Sequence, residues 1–176
     1  MSKRCILISP EFHNGEMIEE LRRKYDPAAK HVEPHITLVF PFESDITEDE
    51  LRKHIIKAVS GFTSFELKLQ GVIGTSFVFN NKTDNCLFLN VKQGNDKIIE
   101  LHDRLYTGIL EKYLMREVSY SPHVTLGKME DIIVYQKAVE ETKNFNEIFR
   151  TRVNKLNVKI IDENHDSMME FSVSLY

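Results

Sequence analysis

The chain has 176 residues, 41% of them hydrophobic and 28% charged, which suits one folded domain spanning residues 1–176 and excludes a disordered chain. Its net charge of −4 argues against a protein that grips nucleic acid through a broad basic surface. Recognition of a single phosphate or one RNA end stays open, and a monomer without an extended nucleic-acid surface is expected.

The N-terminal run from Cys5 to Ile8 is too short for a secretion signal, and no stretch is long enough to span a membrane. A cytoplasmic protein is therefore expected. Cys5 and Cys86 both fall in apolar, strand-like runs and are expected to be reduced and buried. Asn81-Lys82-Thr83 matches a glycosylation acceptor, which without a secretion signal is read as chance.

In chain order, residues 4–9 read as a strand. Residues 15–25 read as a helix with Met17, Ile18, Leu21 and Tyr25 on one stripe and Glu16, Glu19, Glu20, Arg22 and Arg23 elsewhere. A loop leads to a strand over Pro34-His35-Ile36-Thr37-Leu38, ending near Phe40-Pro41. Thr47, with Glu50 three residues on, signals a helix start, and Leu51, Ile55, Ile56 and Val59 supply its apolar stripe. Residues 65–73 alternate as a half-buried strand, Gly74 reads as a turn, and residues 75–79 and 86–91 read as further strands. A helix is expected over 96–113, with Ile98, Leu101, Leu105, Ile109 and Tyr113 in register. The loop 115–121 then delivers a strand over Pro122-His123-Val124-Thr125-Leu126. A helix over 131–143 follows, then strands over 149–161 and 168–175 joined by the polar turn Asp162–Asp166. Strands in hairpins mixed with helices predict an α+β fold with mostly antiparallel sheets.

One pattern occurs twice: Pro, His, an aliphatic residue, Thr, Leu. In a strand, residues i and i+2 share a face. His35 and Thr37 therefore point one way, and Ile36 and Leu38 the other; His123 and Thr125 are set against Val124 and Leu126 in the same manner. Each strand offers a proton-transfer group and a hydroxyl donor on one face, anchored by an apolar face behind. The other histidines (His13, His31, His54, His102, His165) recur in no motif, and His54 and His102 are expected to be half-exposed at helix stripe edges. The acids and His165 of the turn at Asp162 are read as a hairpin turn rather than a metal site, and no zinc spacing or phosphate loop occurs.

The chemistry available to two such pairs follows from their residue types. Breaking a phosphate ester takes a base to activate water and an acid to protonate the departing oxygen. Histidine, with an ordinary pKa of ~6.5, serves either role. Attack in line with departure puts the two on opposite sides of phosphorus. Thr37 and Thr125 are candidate donors to the non-bridging oxygens. No metal or cofactor is required.

His35-Ile36-Thr37-Leu38 and the longer Ser121-Pro122-His123-Val124-Thr125-Leu126-Gly127-Lys128 resemble the two-histidine (2H) phosphoesterase superfamily, in its 2′-5′ RNA ligase-like or cyclic phosphodiesterase branch. The resemblance implies two pseudo-symmetric lobes of mostly antiparallel sheet with helices outside, each giving one motif to a central cleft. It implies hydrolysis of a 2′,3′-cyclic phosphate on an RNA end or small nucleotide. His35 and His123 would be the catalytic acid and base, in either order, and Thr37 and Thr125 would bind phosphate. Alternatives are 2′-5′ RNA ligase or phosphodiesterase activity and a non-catalytic nucleotide-binding module. Relatives carry a basic residue at the place of Lys128 that helps hold phosphate. Strict alternation puts Lys128 opposite His123, so that role needs a bulge or strand end at Gly127; the other reading is a solvated lysine. Phe40 and Tyr120 are candidate base-stacking rings, the alternative being a place in the core.

Overall fold

A computed structural model describes residues 1–79, 82–117 and 119–176. Asn81, and with it the acceptor pattern Asn81-Lys82-Thr83, lies outside the described residues. The strands form two four-stranded sheets in which every pairing is antiparallel. In the first the order is β2 (Ile36–Ser44), β1 (Ser2–Ile8), β7 (Lys155–Ile161), β8 (Ser167–Ser174). In the second it is β5 (His123–Met129), β4 (Lys82–Gln93), β3 (Phe65–Phe79), β6 (Ile148–Val153). The helices are α1 (Glu16–Tyr25), α2 (Glu48–Ala58), α3 (Asn95–Leu105) and α4 (Ile132–Thr142). None is long and apolar enough to cross a membrane.

The first sheet takes strands from both ends of the chain and the second takes the middle, so the two sheets are not the two sequence halves. The motif strands β2 and β5 are both edge strands, one in each sheet. Pro41 sits inside β2, which runs on past the expected end at residue 41; an edge strand tolerates the missing N–H. One apolar core joins residues of both sheets, including Ile36, Leu38, Val124 and Leu126, all fully buried.

Several local expectations change. Residues 149–161 form two strands, not one. β6 pairs with β3, and after Asn154 the chain enters the other sheet as β7 beside β1 and β8. Residues 65–79 form one continuous strand, and Gly74 is not a turn. A Cβ at Gly74 would lie 2.6 Å from Val139 Cγ2 and 2.8 Å from Tyr135 Oη, so the glycine lets α4 sit against β3. The bend in β3 lies at Gly71, where φ is +80° and the pairing with β4 slips. The helix expected over 96–113 stops at Leu105, and a separate 3-10 helix, Gly108–Tyr113, follows. Ile56 and Ile109, expected on apolar stripes, are 52% and 40% exposed, while Leu110 is buried in place of Ile109.

Elsewhere the local signals hold. Thr47 and Glu50 form the capping box that opens α2. Asp162 Oδ1 accepts from the N–H groups of Asn164 and Asp166, closing the β7–β8 hairpin. Cys5 and Cys86 are buried and free, in different sheets, and burial pushes both thiols up to about 11.

α1 belongs in sequence to the first motif but packs on β5, the strand of the second. Gly127 permits this, since a Cβ there would meet Tyr25 Cβ at 2.7 Å and Tyr25 O at 3.1 Å. Gly127→Ala is therefore expected to destabilise the fold by about 1–3 kcal/mol, the usual range for overpacking. A lowered thermal midpoint in calorimetry checks this, and an unchanged midpoint would show that α1 shifts freely.

Candidate active site

His35 stands immediately before β2, and His123 opens β5. Period-2 alternation places their neighbours as expected. Ile36, Leu38, Val124 and Leu126 are sealed in the core, while His35, Thr37, His123 and Thr125 are half-buried. β2 and β5 approach each other between the sheets. One tie near them is Tyr120, three residues before β5, whose hydroxyl donates to the Thr37 carbonyl at 2.7 Å.

Both histidines are fixed in the same way. His35 Nδ1 donates to the Glu33 carbonyl at 2.8 Å, and His123 Nδ1 donates to the Ser121 carbonyl at 2.7 Å. A carbonyl oxygen only accepts, so Nδ1 carries the hydrogen in both rings. The second nitrogen, Nε2, is then the one with a lone pair when the ring is neutral and an acidic hydrogen when it is charged. In each motif the acceptor is the residue just before the proline.

Burial pushes both imidazoles below the ordinary histidine value, while the Nδ1 bonds to carbonyls act the other way. The two rings are close enough that a positive charge on His35 disfavours one on His123. This coupling suits a pair that works with one proton between two rings.

The surroundings of the two differ. Behind His35, the Glu33 carboxylate accepts from Ser9 Oγ at 2.8 Å and pairs with the buried Lys159 ammonium. Arg22 Nη2 donates to the Val32 carbonyl at 2.8 Å, holding the same segment from the side of α1. Arg22 falls off the apolar stripe expected for α1, yet it is 1% exposed. Its charge is met by Asp26, 3.0 Å away and itself buried. Around His123 the neighbour is aromatic: the Phe88 ring stacks on the imidazole, centroids 3.6 Å apart and planes at 24°.

Lys128, Phe40 and Tyr120 are placed as follows. β5 bulges: Leu87 pairs with Gly127 and Phe88 with Thr125, leaving Leu126 without a partner. The extra residue puts Lys128 opposite Cys86, on the same side of the ladder as His123 and Thr125. Its ammonium is nonetheless 2.8 Å from the Asp84 carboxylate, which takes up its charge. The Tyr120 ring stacks on His102 at 3.8 Å, so both its hydroxyl and one ring face are used inside the protein. Burial pushes the Tyr120 phenol well up. Phe40 is half-buried, and its backbone N–H donates to Tyr106 Oη at 3.0 Å. His102, expected to be half-exposed, is 6% exposed, because Tyr106 and Tyr120 close over it.

Phe88, Glu33, Arg22 and His102 carry no motif, so sequence patterning passes over them. Only the register of β4 on β5 brings Phe88 to His123. Glu33 alone has a signal, standing directly before the proline of the first motif. Among the described residues no cluster of His, Cys, Asp or Glu has the arrangement of a metal site.

Comparison with known proteins adds the following. The profile of the 2′-5′ RNA ligase superfamily matches residues 9–165. A Geobacillus sp. (strain WCH70) protein named "Putative phosphoesterase" is 30% identical over 123 residues, covering 70% of this chain and 67% of that protein. Among solved structures, E. coli LigT complexed with 3′-AMP superposes with a TM-score of 0.60 at 15% identity, covering 99% of this chain and 98% of LigT. The protein TT0787 of Thermus thermophilus gives a TM-score of 0.62 at 16% identity, with 98% and 97% covered. These structural likenesses speak for a shared fold.

Proposed function

The chain belongs to the 2′-5′ RNA ligase superfamily, and on that premise we propose that it hydrolyses a 2′,3′-cyclic phosphate carried by an RNA end or a small nucleotide. The observation that supports this most is the matched pair of imidazoles on β2 and β5. Each is locked through Nδ1 to a backbone carbonyl and has Nε2 left for proton transfer. E. coli LigT has been solved with 3′-AMP, ATP, NADP+ and phosphate, so a relative of the same fold takes nucleotides.

In this scheme one neutral Nε2 removes a proton from water as its oxygen bonds to phosphorus. The bond from phosphorus to one ribose oxygen breaks, and the other ring's Nε2–H delivers a proton to that oxygen. The product is a phosphomonoester. The rings end with their protonation states exchanged, and solvent restores them. Thr37 and Thr125 hydroxyls donate to the non-bridging oxygens, where charge accumulates. Lys128 joins them only by leaving Asp84. A 5′-hydroxyl attacking in place of water, with the 3′-oxygen departing, gives a 2′-5′ linkage, the chemistry in the family's name.

The test is turnover by the purified protein of 2′,3′-cyclic nucleotides, 2′-5′-linked dinucleotides and an RNA with a cyclic-phosphate end. Hydrolysis of the cyclic phosphates, unchanged by EDTA, is expected. Thr37→Ala and Thr125→Ala should lower the rate less than either histidine change, since each removes one donor among several. Activity lost in EDTA and restored by a divalent metal would overturn the two-histidine scheme. Nucleotide binding with no turnover of any of these compounds would make the protein a binding module.

A further inference from the structure

The face of the second sheet that carries His123 and Thr125 continues well past those residues. Cross-strand partners share a face, so that face can be followed from β5 through β4 to β3. Thr125 pairs with Phe88, and Phe88 with Ile73. Lys128 pairs with Cys86, and Cys86 with Thr75. Beyond the end of β5, Asp84 pairs with Phe77. Ile73, Thr75 and Phe77 therefore line β3 on the motif side. On its other side β3 is covered at Gly74 by Val139 and Tyr135 of α4.

Two side chains of this stripe are large, apolar and open. Ile73 is 52% exposed and Phe77 43%, and neither belongs to the apolar core. Their partners Phe88 and Asp84 are half-buried and buried. Phe88 and Tyr120 each give a ring face to a histidine, His123 and His102, whereas the Phe77 ring is open. Strands lie about 5 Å apart and rise about 3.3 Å per residue. Ile73 is thus about 10 Å from Thr125, and Phe77 stands about 13 Å further along β3. The base of a nucleoside whose phosphate lies between the motifs can reach Ile73; a base over Phe77 belongs to the next nucleotide. The cation of this face, Lys128, sits between the motif and Phe77, paired with Asp84. Beside that carboxylate a neutral base is favoured over a phosphate. Two side chains offer far less area than the about 800 Å² a side of a stable protein interface.

We propose that Ile73 and Phe77 form a nucleobase platform that makes the substrate a single-stranded RNA end and not a free cyclic nucleotide. Ile73 lies under the base of the nucleoside that carries the cyclic phosphate. Phe77 stacks on the base of the nucleotide on its 5′ side. Every base has a flat π face, so the platform accepts any sequence. This rests on the cyclic-phosphate reading and narrows its substrate class.

The experiment compares kcat/KM for a mononucleotide, a dinucleotide and a tetranucleotide, each ending in a 2′,3′-cyclic phosphate, in the wild type, Phe77→Ala and Phe77→Tyr. Binding of labelled RNAs of the same lengths ending in a 3′-phosphate is followed in parallel by fluorescence anisotropy. The wild type should prefer the dinucleotide to the mononucleotide by about 5- to 100-fold, the usual worth of one base–aromatic stack. The tetranucleotide should add little. Phe77→Ala should bring the dinucleotide-to-mononucleotide ratio near one, and Phe77→Tyr should restore it. A wild-type ratio near one overturns the platform, as does a ratio that Phe77→Ala leaves unchanged. A wild type that dimerises in sedimentation and becomes monomeric in Phe77→Ala makes the stripe a contact between two copies and also overturns it. If Phe77→Ala fails to fold, the wild-type ratio decides together with Ile73→Ala, which should weaken both substrates alike. Failure of the cyclic-phosphate reading shows differently, as no turnover at any length with dinucleotide binding that still depends on Phe77.

Discussion

Replacing either His35 or His123 by Ala should lower turnover of a 2′,3′-cyclic nucleotide by on the order of 10²–10⁴-fold, the usual worth of one positioned acid or base. Each ring has its Nδ1 committed to a backbone carbonyl, so in the proposed scheme loss of the ring removes the Nε2 that would exchange the proton and leaves nothing in its place. The double substitution should cost far less than the product of the two single losses. Water attack without a base and departure without an acid are already slow separately, and residues that act as a unit are not additive. The wild-type rate should be bell-shaped in pH, with limbs that belong to the coupled pair. Burial pushes both imidazoles below the ordinary histidine value, so both limbs should lie at lower pH than free histidines would place them. Both rings are half-buried at strand starts, so thermal midpoints should change little, separating a chemical loss from an unfolded one. A single variant retaining activity within a few-fold would remove that histidine from the reaction.

The second large effect concerns Arg22. It is 1% exposed, and its partner Asp26 is 8% exposed. Arg22→Met keeps most of the volume but leaves a buried carboxylate without its cation, which typically costs about 3–5 kcal/mol. For a chain of this size that lowers the thermal midpoint by roughly 10 °C. The Val32 carbonyl also loses its donor, which frees the segment leading to His35. Adding Asp26→Asn should recover a large part of the loss. It removes the unpaired charge and leaves an oxygen for the Ala28 N–H that Asp26 Oδ1 now accepts, 3.0 Å away. A loss under about 1 kcal/mol for Arg22→Met would mean that Asp26 finds solvent, since exposed ion pairs are worth about that much.

What the chain declares locally is what depends on a few neighbouring residues. The period-2 pattern around His35 and His123 separates an apolar face from a polar one, and the structure seals Ile36, Leu38, Val124 and Leu126 accordingly. The Thr47–Glu50 cap and the Asp162 turn close hydrogen bonds within four residues, so the residue types suffice. Arg22 is the exception within a helix. Patterning assigns a charged side chain to solvent, whereas the partners that permit its burial, Asp26 and the Val32 carbonyl, depend on how the chain turns after α1.

Everything that relates the two motifs to each other required the tertiary structure. No local signal orders strands within a sheet, so neither the edge positions of β2 and β5 nor the change of sheet at Asn154 could be read from residue periodicity. Gly74 looks like a turn residue in sequence, but it is a site of close approach to α4, as Gly127 is to α1, each set by packing partners distant in the chain. The bulge at Leu126 decides which side of β5 carries Lys128, and it exists only as a mismatch between two strands. Phe88 reaches His123 through that same pairing. Sequence thus determined which residue types could move a proton, because that is a property of side chains. The structure decided what surrounds each of them, because burial, charge and ring stacking are properties of neighbours that the fold alone brings together.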